Sequence, residues 1–178
     1  SYVSINRMAS PKIELMSPMR VERTLKRMTL EIIEKHAGKG SIFIFGINER
    51  GYRLSKKIAA IIKAFTRINR TPIRVDVHKG TVADTTVNLD QSFVIIVDDV
   101  IFSGETFKKA MDLIEPLGKP RTIKIAVLVD RGHRKFPFEP EFAGLVHPTK
   151  LNEHVEVFLP DSDGLDRVVL FEDASDAL

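Results

Sequence analysis

The residues Phe93 to Thr106 read Phe-Val-Ile-Ile-Val-Asp-Asp-Val-Ile-Phe-Ser-Gly-Glu-Thr, and their change of character at Asp98 limits the possible folds more than any other stretch. Phe93 to Val97 is an unbroken β-branched and aromatic run, the pattern of a strand buried on both faces, as central parallel strands are. Two adjacent carboxylates follow. They repel each other and resist burial, so the strand is expected to end at Asp98 and open onto a crevice where a cation or sugar hydroxyls meet the acids. Phe102, Ser103, Gly104, Glu105 and Thr106 then form a short turn carrying two hydroxyls, and Phe107, Ala110, Met111 and Ile114 mark the apolar face of a helix. Backbone N–H groups left free at a helix N-terminus cradle anions. Strand, acidic pair, hydroxyl-rich turn and helix, in that order, describe a site for a ribose with a 5′-phosphate.

The rest of the chain suits a fold built round such a strand. Its 178 residues, 43% hydrophobic and 29% charged, are read as one soluble globular domain, residues 17–178, preceded by an arm over residues 1–16. No apolar run approaches the length of a membrane span. The lack of cysteine excludes a disulfide framework and thiolate zinc sites and fits a cytoplasmic setting. Net charge is only +3, yet residues 1–75 hold 16 Lys and Arg against 5 Asp and Glu, whereas residues 76–178 hold 11 against 19. A basic half suggests an anionic partner, phosphate or nucleic acid, or else solvated helix faces.

In chain order, the arm is read as carrying one short strand. Ser17-Pro18 then supplies an N-cap and a first-turn proline for a helix to about His36, with Val21, Leu25, Met28 and Ile32 on one face and Gly38 as its stop. Arg20, Arg23 and Arg27 form a stripe on the other side, beside Lys26; it is either solvated surface or a nucleic-acid contact. Ser41–Phe45 is a strand running into a polar loop, Gly46-Ile47-Asn48-Glu49-Arg50-Gly51, and a helix follows with Leu54, Ile58, Ile61 and Phe65 inward. A loop at the carboxyl end of a parallel strand opens onto the same crevice as its neighbours, where the planar fork of Arg50 can meet a diphosphate. Ile73–Val77 is a third strand, and His78–Gln91, with no apolar period, is a lid or a hairpin. Strands are expected at Thr122–Val129, Phe142–Val146, Val155–Leu159 and Val168–Phe171. Strands alternating with helices, then a strand-rich tail, give a doubly wound α/β domain.

The central stretch resembles the ribose-phosphate motif of type I phosphoribosyltransferases, which bind phosphoribosyl pyrophosphate. Combined with Gly-Ile-Asn-Glu-Arg-Gly-Tyr-Arg-Leu-Ser-Lys-Lys and Ala-Val-Leu-Val-Asp-Arg-Gly-His-Arg, it is similar to the bacterial pyrimidine operon attenuation regulators, a family that also acts as uracil phosphoribosyltransferases. The similarity runs from about Lys12 through Glu172. It implies a mostly parallel sheet flanked by helices, with a strand-rich hood. It implies that Asp98 and Asp99 hold the ribose hydroxyls and stabilise positive charge at C1′, and that Phe102 to Thr106 cradle the 5′-phosphate. Gly46, Ile47, Asn48, Glu49, Arg50 and Gly51 would take the pyrophosphate alongside Mg2+, itself held mainly by substrate with Asp98 or Asp99. Asp130, Arg131 and Val155 would lie near the base. Homo-oligomers with dimer contacts near the site, and a messenger RNA leader on the basic surface of Arg20, Arg23 and Arg27, belong to the same implication.

The chain departs from these relatives at several positions. His78-Lys79-Gly80 stands where a Tyr-Arg-Asp-Asp cluster usually follows the third strand, the lid is short, Glu105 replaces a common arginine and Glu49 a usual threonine. Phe102 and Asp130 stand where purine-handling relatives often carry a carboxylate and a lysine, which disfavours a purine. Three readings stay open: a uracil transferase, a nucleotide-sensing RNA-binding regulator with little or no catalysis, and a transferase for another small base.

Overall fold

A strand that is apolar on both faces must be covered on both, and the chain supplies the two layers from a single alternation of residues. The computed structural model describes residues 10–160 and 164–173; residues 1–9 of the expected arm and the end of the acidic tail lie outside that range. The main sheet contains β2 (Ile42–Ile47), β3 (Ile73–Asp76), β4 (Thr81–Val82), β5 (Phe93–Ile101), β6 (Thr122–Asp130) and β7 (Phe142–Val146), in the order β4-β3-β2-β5-β6-β7. All neighbours are parallel except β3 and β4. Odd and even positions of β2 and β5 feed different cores. Ile42, Ile44, Phe93, Ile95 and Val97 pack with the helices α1 (Pro18–His36) and α2 (Asn48–Phe65), while Phe43, Phe45, Val94 and Ile96 pack with α3 (Glu105–Ile114). The doubly wound α/β arrangement follows from that period of two.

A second sheet of three antiparallel strands, in the order β1-β9-β8, sits at the edge of the first core: β1 (Ser10–Met16), β8 (Glu153–Phe158) and β9 (Arg167–Glu172). The short strand expected in the arm is β1, and its Leu15 and Met16 join the same core as α1 and α2. This small sheet is the strand-rich hood.

The start of α1 is the expected one: Ser17 Oγ accepts the Arg20 N–H at 3.2 Å and Pro18 opens the helix. Its end comes one residue before Gly38, at Ala37, which takes the left-handed conformation itself (φ 54°). The buried face of α2 is rotated from the expected one. Leu54, Ser55, Ile58 and Ile62 are buried, Ile61 is only partly so, and Phe65 is 53% exposed beneath Lys26 Nζ at 5.4 Å. The segment His78–Gln91 begins as a hairpin, with Val75 opposite Val82 and Asp76 opposite Thr81. It then sinks Leu89 fully into the core, where the Leu89 N–H bonds the Leu117 carbonyl at 3.0 Å. Among the described residues no helix is long and apolar enough to cross a membrane.

Candidate active site

The acidic pair does not end its strand, contrary to the sequence expectation: β5 runs on through Asp98 and Asp99 to Ile101. The reason lies in its neighbours. Pairing with β2 stops at Gly46 opposite Val97, whereas pairing with β6 continues until Ile101 lies opposite Asp130. One side of β5 keeps its ladder while the other opens, so the sheet splits at Asp98 and a crevice forms along the free side. About 240 Å³ in volume, it is lined on the β5 side by Asp98 to Ile101 and by the turn Phe102 to Thr106, on the opposite wall by Asn48, Arg50 and His78, and under the hood by Arg131, His154, Val155 and Glu156.

Asp98 is 8% exposed, and its Oδ1 accepts the Asp99 N–H at 2.8 Å. Burial, and after it the negative charge of Asp99, push the Asp98 carboxyl well above the usual carboxylate range. Asp99 keeps one oxygen on the Val100 N–H at 2.9 Å and turns the other toward Arg50 Nη1, 3.9 Å away. Arg50 also reaches across to the hood, 2.9 Å from Glu156 Oε2. A single cation thus stands between carboxylates on both walls.

The expected loop Gly46 to Gly51 is not a loop. Gly46 and Ile47 finish β2, and Asn48 begins α2 directly, with φ +54°. Its two glycines permit close packing instead: a Cβ on Gly51 would lie 2.7 Å from the Val97 carbonyl and 3.2 Å from Asp98 Oδ1, and one on Gly46 would collide with the Tyr52 backbone. Of these six residues only Asn48 and Arg50 line the crevice. Asn48 Oδ1 accepts the Val77 N–H at 3.1 Å. Glu49 points elsewhere, pairing with Arg53 at 2.6 Å in a wider neighbouring cleft of about 690 Å³ that contains neither the acids nor the turn.

The turn has the geometry of an anion cradle. Gly104 adopts φ +86° as the residue before α3, and a side chain there would meet the Phe136 carbonyl at 3.1 Å. Ser103 Oγ accepts the Glu105 N–H at 3.2 Å. Lys108 N–H makes the first bond of the helix, to the Gly104 carbonyl, so the N–H groups of Thr106 and Phe107 have no acceptor within the helix. The Glu105 side chain is 58% exposed and lies 3.9 Å from Lys109 Nζ.

The residues expected near the base fall apart into two groups. Arg131 and Val155 line the crevice, whereas Asp130 does not. The Asp130 carboxylate is occupied by Arg134 at 2.7 Å and by the Gly132 N–H. Arg131 spends its donors on Thr149 Oγ1 and the Glu153 carbonyl, and its guanidinium lies 4.5 Å over the Phe102 ring. Burial lowers its pKa from the usual arginine value. His133 meets Phe102 in an edge-type contact, ring centroids 5.7 Å apart, and bonds the Thr149 carbonyl. Phe102 is thereby fixed as an aromatic wall. Sequence reasoning missed His78, His154 and Glu156. The last two had a visible signal, since charged and ring residues alternating with Val155 and Val157 place two polar groups on one face of a strand.

On α1, Arg20 and Arg23 are exposed. Arg20 bonds the Leu15 carbonyl, and Arg27, though half exposed, is tied down by Glu31 at 2.8 Å and by the carbonyls of Ala143 and Gly144 on the edge strand β7.

Residues 14–152 match the family described as the phosphoribosyl transferase domain. The protein named bifunctional protein PyrR from Pelotomaculum thermopropionicum is 36% identical over 94% of this chain and 99% of its own. Its namesake from Synechocystis is 34% identical over 93% and 99%. Among solved structures, the hypoxanthine phosphoribosyltransferase of Trypanosoma cruzi has a TM-score of 0.73 at 16% identity, covering 92% of this chain and 98% of that one. A hypoxanthine-guanine phosphoribosyltransferase from Bacillus anthracis has a TM-score of 0.68 at 21% identity, with 93% and 99% covered. The split sheet, the acid pair, the turn and these matches lead to one conclusion: the chain belongs to the phosphoribosyltransferase family, among the proteins named PyrR.

Proposed function

We propose that this protein transfers the ribosyl 5-phosphate of phosphoribosyl pyrophosphate to a nucleobase, uracil being the acceptor the resemblance implies, to give UMP and pyrophosphate. The observation that carries the reading is the acid pair at the split, one strand end away from a turn with free N–H groups. In the reaction the C1′–oxygen bond to pyrophosphate breaks, its electron pair leaving with the pyrophosphate. A bond forms from the base nitrogen to C1′, and the base loses an N–H proton. Positive charge builds on the sugar meanwhile, and a preorganised carboxylate beneath it lowers the barrier. The turn anchors the 5′-phosphate and Arg50 meets the leaving group. A buried carboxyl raised by burial and by its neighbour's charge is a group that a divalent cation relieves, so Asp98 and Asp99 fit Mg2+ shared with substrate oxygens. Bound there, the ion would supply charge neutralisation for the leaving pyrophosphate.

The test is pyrophosphate release with phosphoribosyl pyrophosphate, Mg2+ and uracil. Asp99→Asn is expected to lose about a hundredfold in rate. A folded sample that gives no heat with phosphoribosyl pyrophosphate and Mg2+ would sink the reading.

A second reading, an RNA-binding regulator working as a homodimer or larger homo-oligomer in the cytoplasm, is favoured by the exposed Arg20 and Arg23 on a basic half. Replacing both with Glu should weaken binding of a messenger RNA leader and reduce its salt dependence. An unchanged salt slope counts against that surface. Arg27 is a poor member of the test set, because it also holds β7.

A further inference from the structure

Of the stretch Asp130 to Arg134 only Arg131 lines the crevice, yet Arg134 reaches the turn beside it. The Arg134 side chain is 15% exposed and each of its nitrogens is engaged. Nη1 donates to the Phe102 carbonyl at 3.0 Å, Nε to the Phe138 carbonyl at 2.7 Å and Nη2 to Asp130 Oδ2 at 2.7 Å. Asp130 is itself buried and accepts the Gly132 N–H on Oδ1 at 2.9 Å, which anchors the fork to the end of β6. The residues after Arg134 add to the grip: Lys135 and Phe136 both donate their backbone N–H to the Ser103 carbonyl, each at 2.9 Å. Successive carbonyls of the turn, those of Phe102 and Ser103, are thus held from one loop.

In a trans peptide unit the C=O and the N–H point in opposite directions. With the Phe102 and Ser103 carbonyls held by residues 134–136, the N–H groups of Ser103 and Gly104 face away from that loop. Neither has an acceptor among the described residues, and both residues line the crevice, whereas none of residues 132–138 does. Were one of these peptides to turn over, a carbonyl oxygen would take the place of a donor in the cradle and repel an anion there. Gly104, at φ +86°, resists such a turnover poorly, because glycine adopts either sign of φ. The orientation of the turn therefore depends on what holds its carbonyls from outside.

We propose that Arg134 is a positioning residue: anchored by Asp130, it fixes the Phe102–Ser103 peptide so that the turn presents its N–H groups to the 5′-phosphate, without touching the substrate itself. The proposal rests on the transferase reading above, in which this turn holds that phosphate. It gives Asp130, expected beside the base, a part at the opposite end of the substrate.

The experiment titrates ribose 5-phosphate, and separately pyrophosphate with Mg2+, into wild type, Arg134→Lys and Arg134→Met by calorimetry, and follows the backbone amide resonances of the wild type. In the wild type, ribose 5-phosphate should move the Ser103 and Gly104 amide protons downfield and leave those of Lys135 and Phe136 in place. Both variants should lose about tenfold in affinity for ribose 5-phosphate. Their affinity for pyrophosphate should stay within about threefold of wild type, since that ligand does not rest on the turn. Lysine keeps the charge but not the planar fork that serves several acceptors, so it should not rescue binding. Full affinity in Arg134→Lys or Arg134→Met overturns the proposal. Equal losses for both ligands, or failure of both variants to fold, would make Arg134 a structural residue only and overturn it as well. Ser103 and Gly104 amides that stay unmoved by bound ribose 5-phosphate do so without any variant. A wild type that binds no ribose 5-phosphate at all removes the phosphate site of the transferase reading, and this proposal with it.

Discussion

Replacing Asp98 by Asn isolates what burial does to the acid pair. The asparagine carbonyl oxygen can still accept the Asp99 N–H that Asp98 Oδ1 accepts at 2.8 Å, so geometry is kept and charge is removed. In the wild type, burial and then the Asp99 charge raise the carboxyl above its ordinary value of 3.8. A carboxyl with a raised folded-state pKa holds its proton more tightly when native than when unfolded. Its contribution to stability is therefore complete below the unfolded value and is lost as pH rises through the folded one. One such group changes stability by at most ~1.4 kcal/mol per pH unit. The excess stability of Asp98→Asn over wild type should thus grow with pH from about pH 4, at up to that slope, and level off above the folded-state pKa. Urea unfolding of both proteins at unit intervals between about pH 4 and pH 8, without Mg2+ or substrate, measures the difference. Taking the difference cancels the carboxyls that do not touch Asp98. A flat difference, or a wild type that gains on the variant as pH rises, would show that Asp98 ionises freely in the folded protein and would refute the reasoning.

Other outcomes follow from the geometry. Gly51→Ala would push a methyl against the Val97 carbonyl of β5, where the backbone has no room to yield; unfolding in urea should show a loss of about 1–3 kcal/mol. Arg27→Met removes the donors to the Ala143 and Gly144 carbonyls and should cost about 1–2 kcal/mol by the same measurement, whereas a surface arginine without partners would cost almost nothing. Glu105→Gln should alter the affinity for phosphoribosyl pyrophosphate by less than about threefold in calorimetry, since the side chain is mostly exposed; a tenfold gain would place it against the phosphate.

The order of elements could be read from the residues because apolar runs of period two and helical faces of period 3.6 alternate cleanly. Ser17-Pro18 marked the start of α1, and the turn before α3 announced itself through Ser103 and Gly104. The failures share a cause: they depend on partners that a linear reading does not supply. Asp98 looks like a strand end because it is charged, yet β6 continues beside it and keeps the backbone paired through Ile101. Gly46 and Gly51 suggest a loop, but they are small because α2 presses on β2 and β5. Leu89 lies in a stretch with no sustained apolar period and is still fully buried. Asp130 has the composition of a ligand contact, and only the fold shows Arg134 already on it. Glu156 alternates with Val155 and Val157 along its strand, and only the fold shows it buried and facing Arg50.

Unequal lengths of pairing, not the identity of any side chain, make the opening beside β5: its ladder with β2 ends at Gly46 while its ladder with β6 carries on to Asp130. The cavity is a property of the main chain, so the residues at its rim can be exchanged without unravelling the sheet that creates it. Side chains along the crevice can therefore change by small steps while the strands that form it stay as they are.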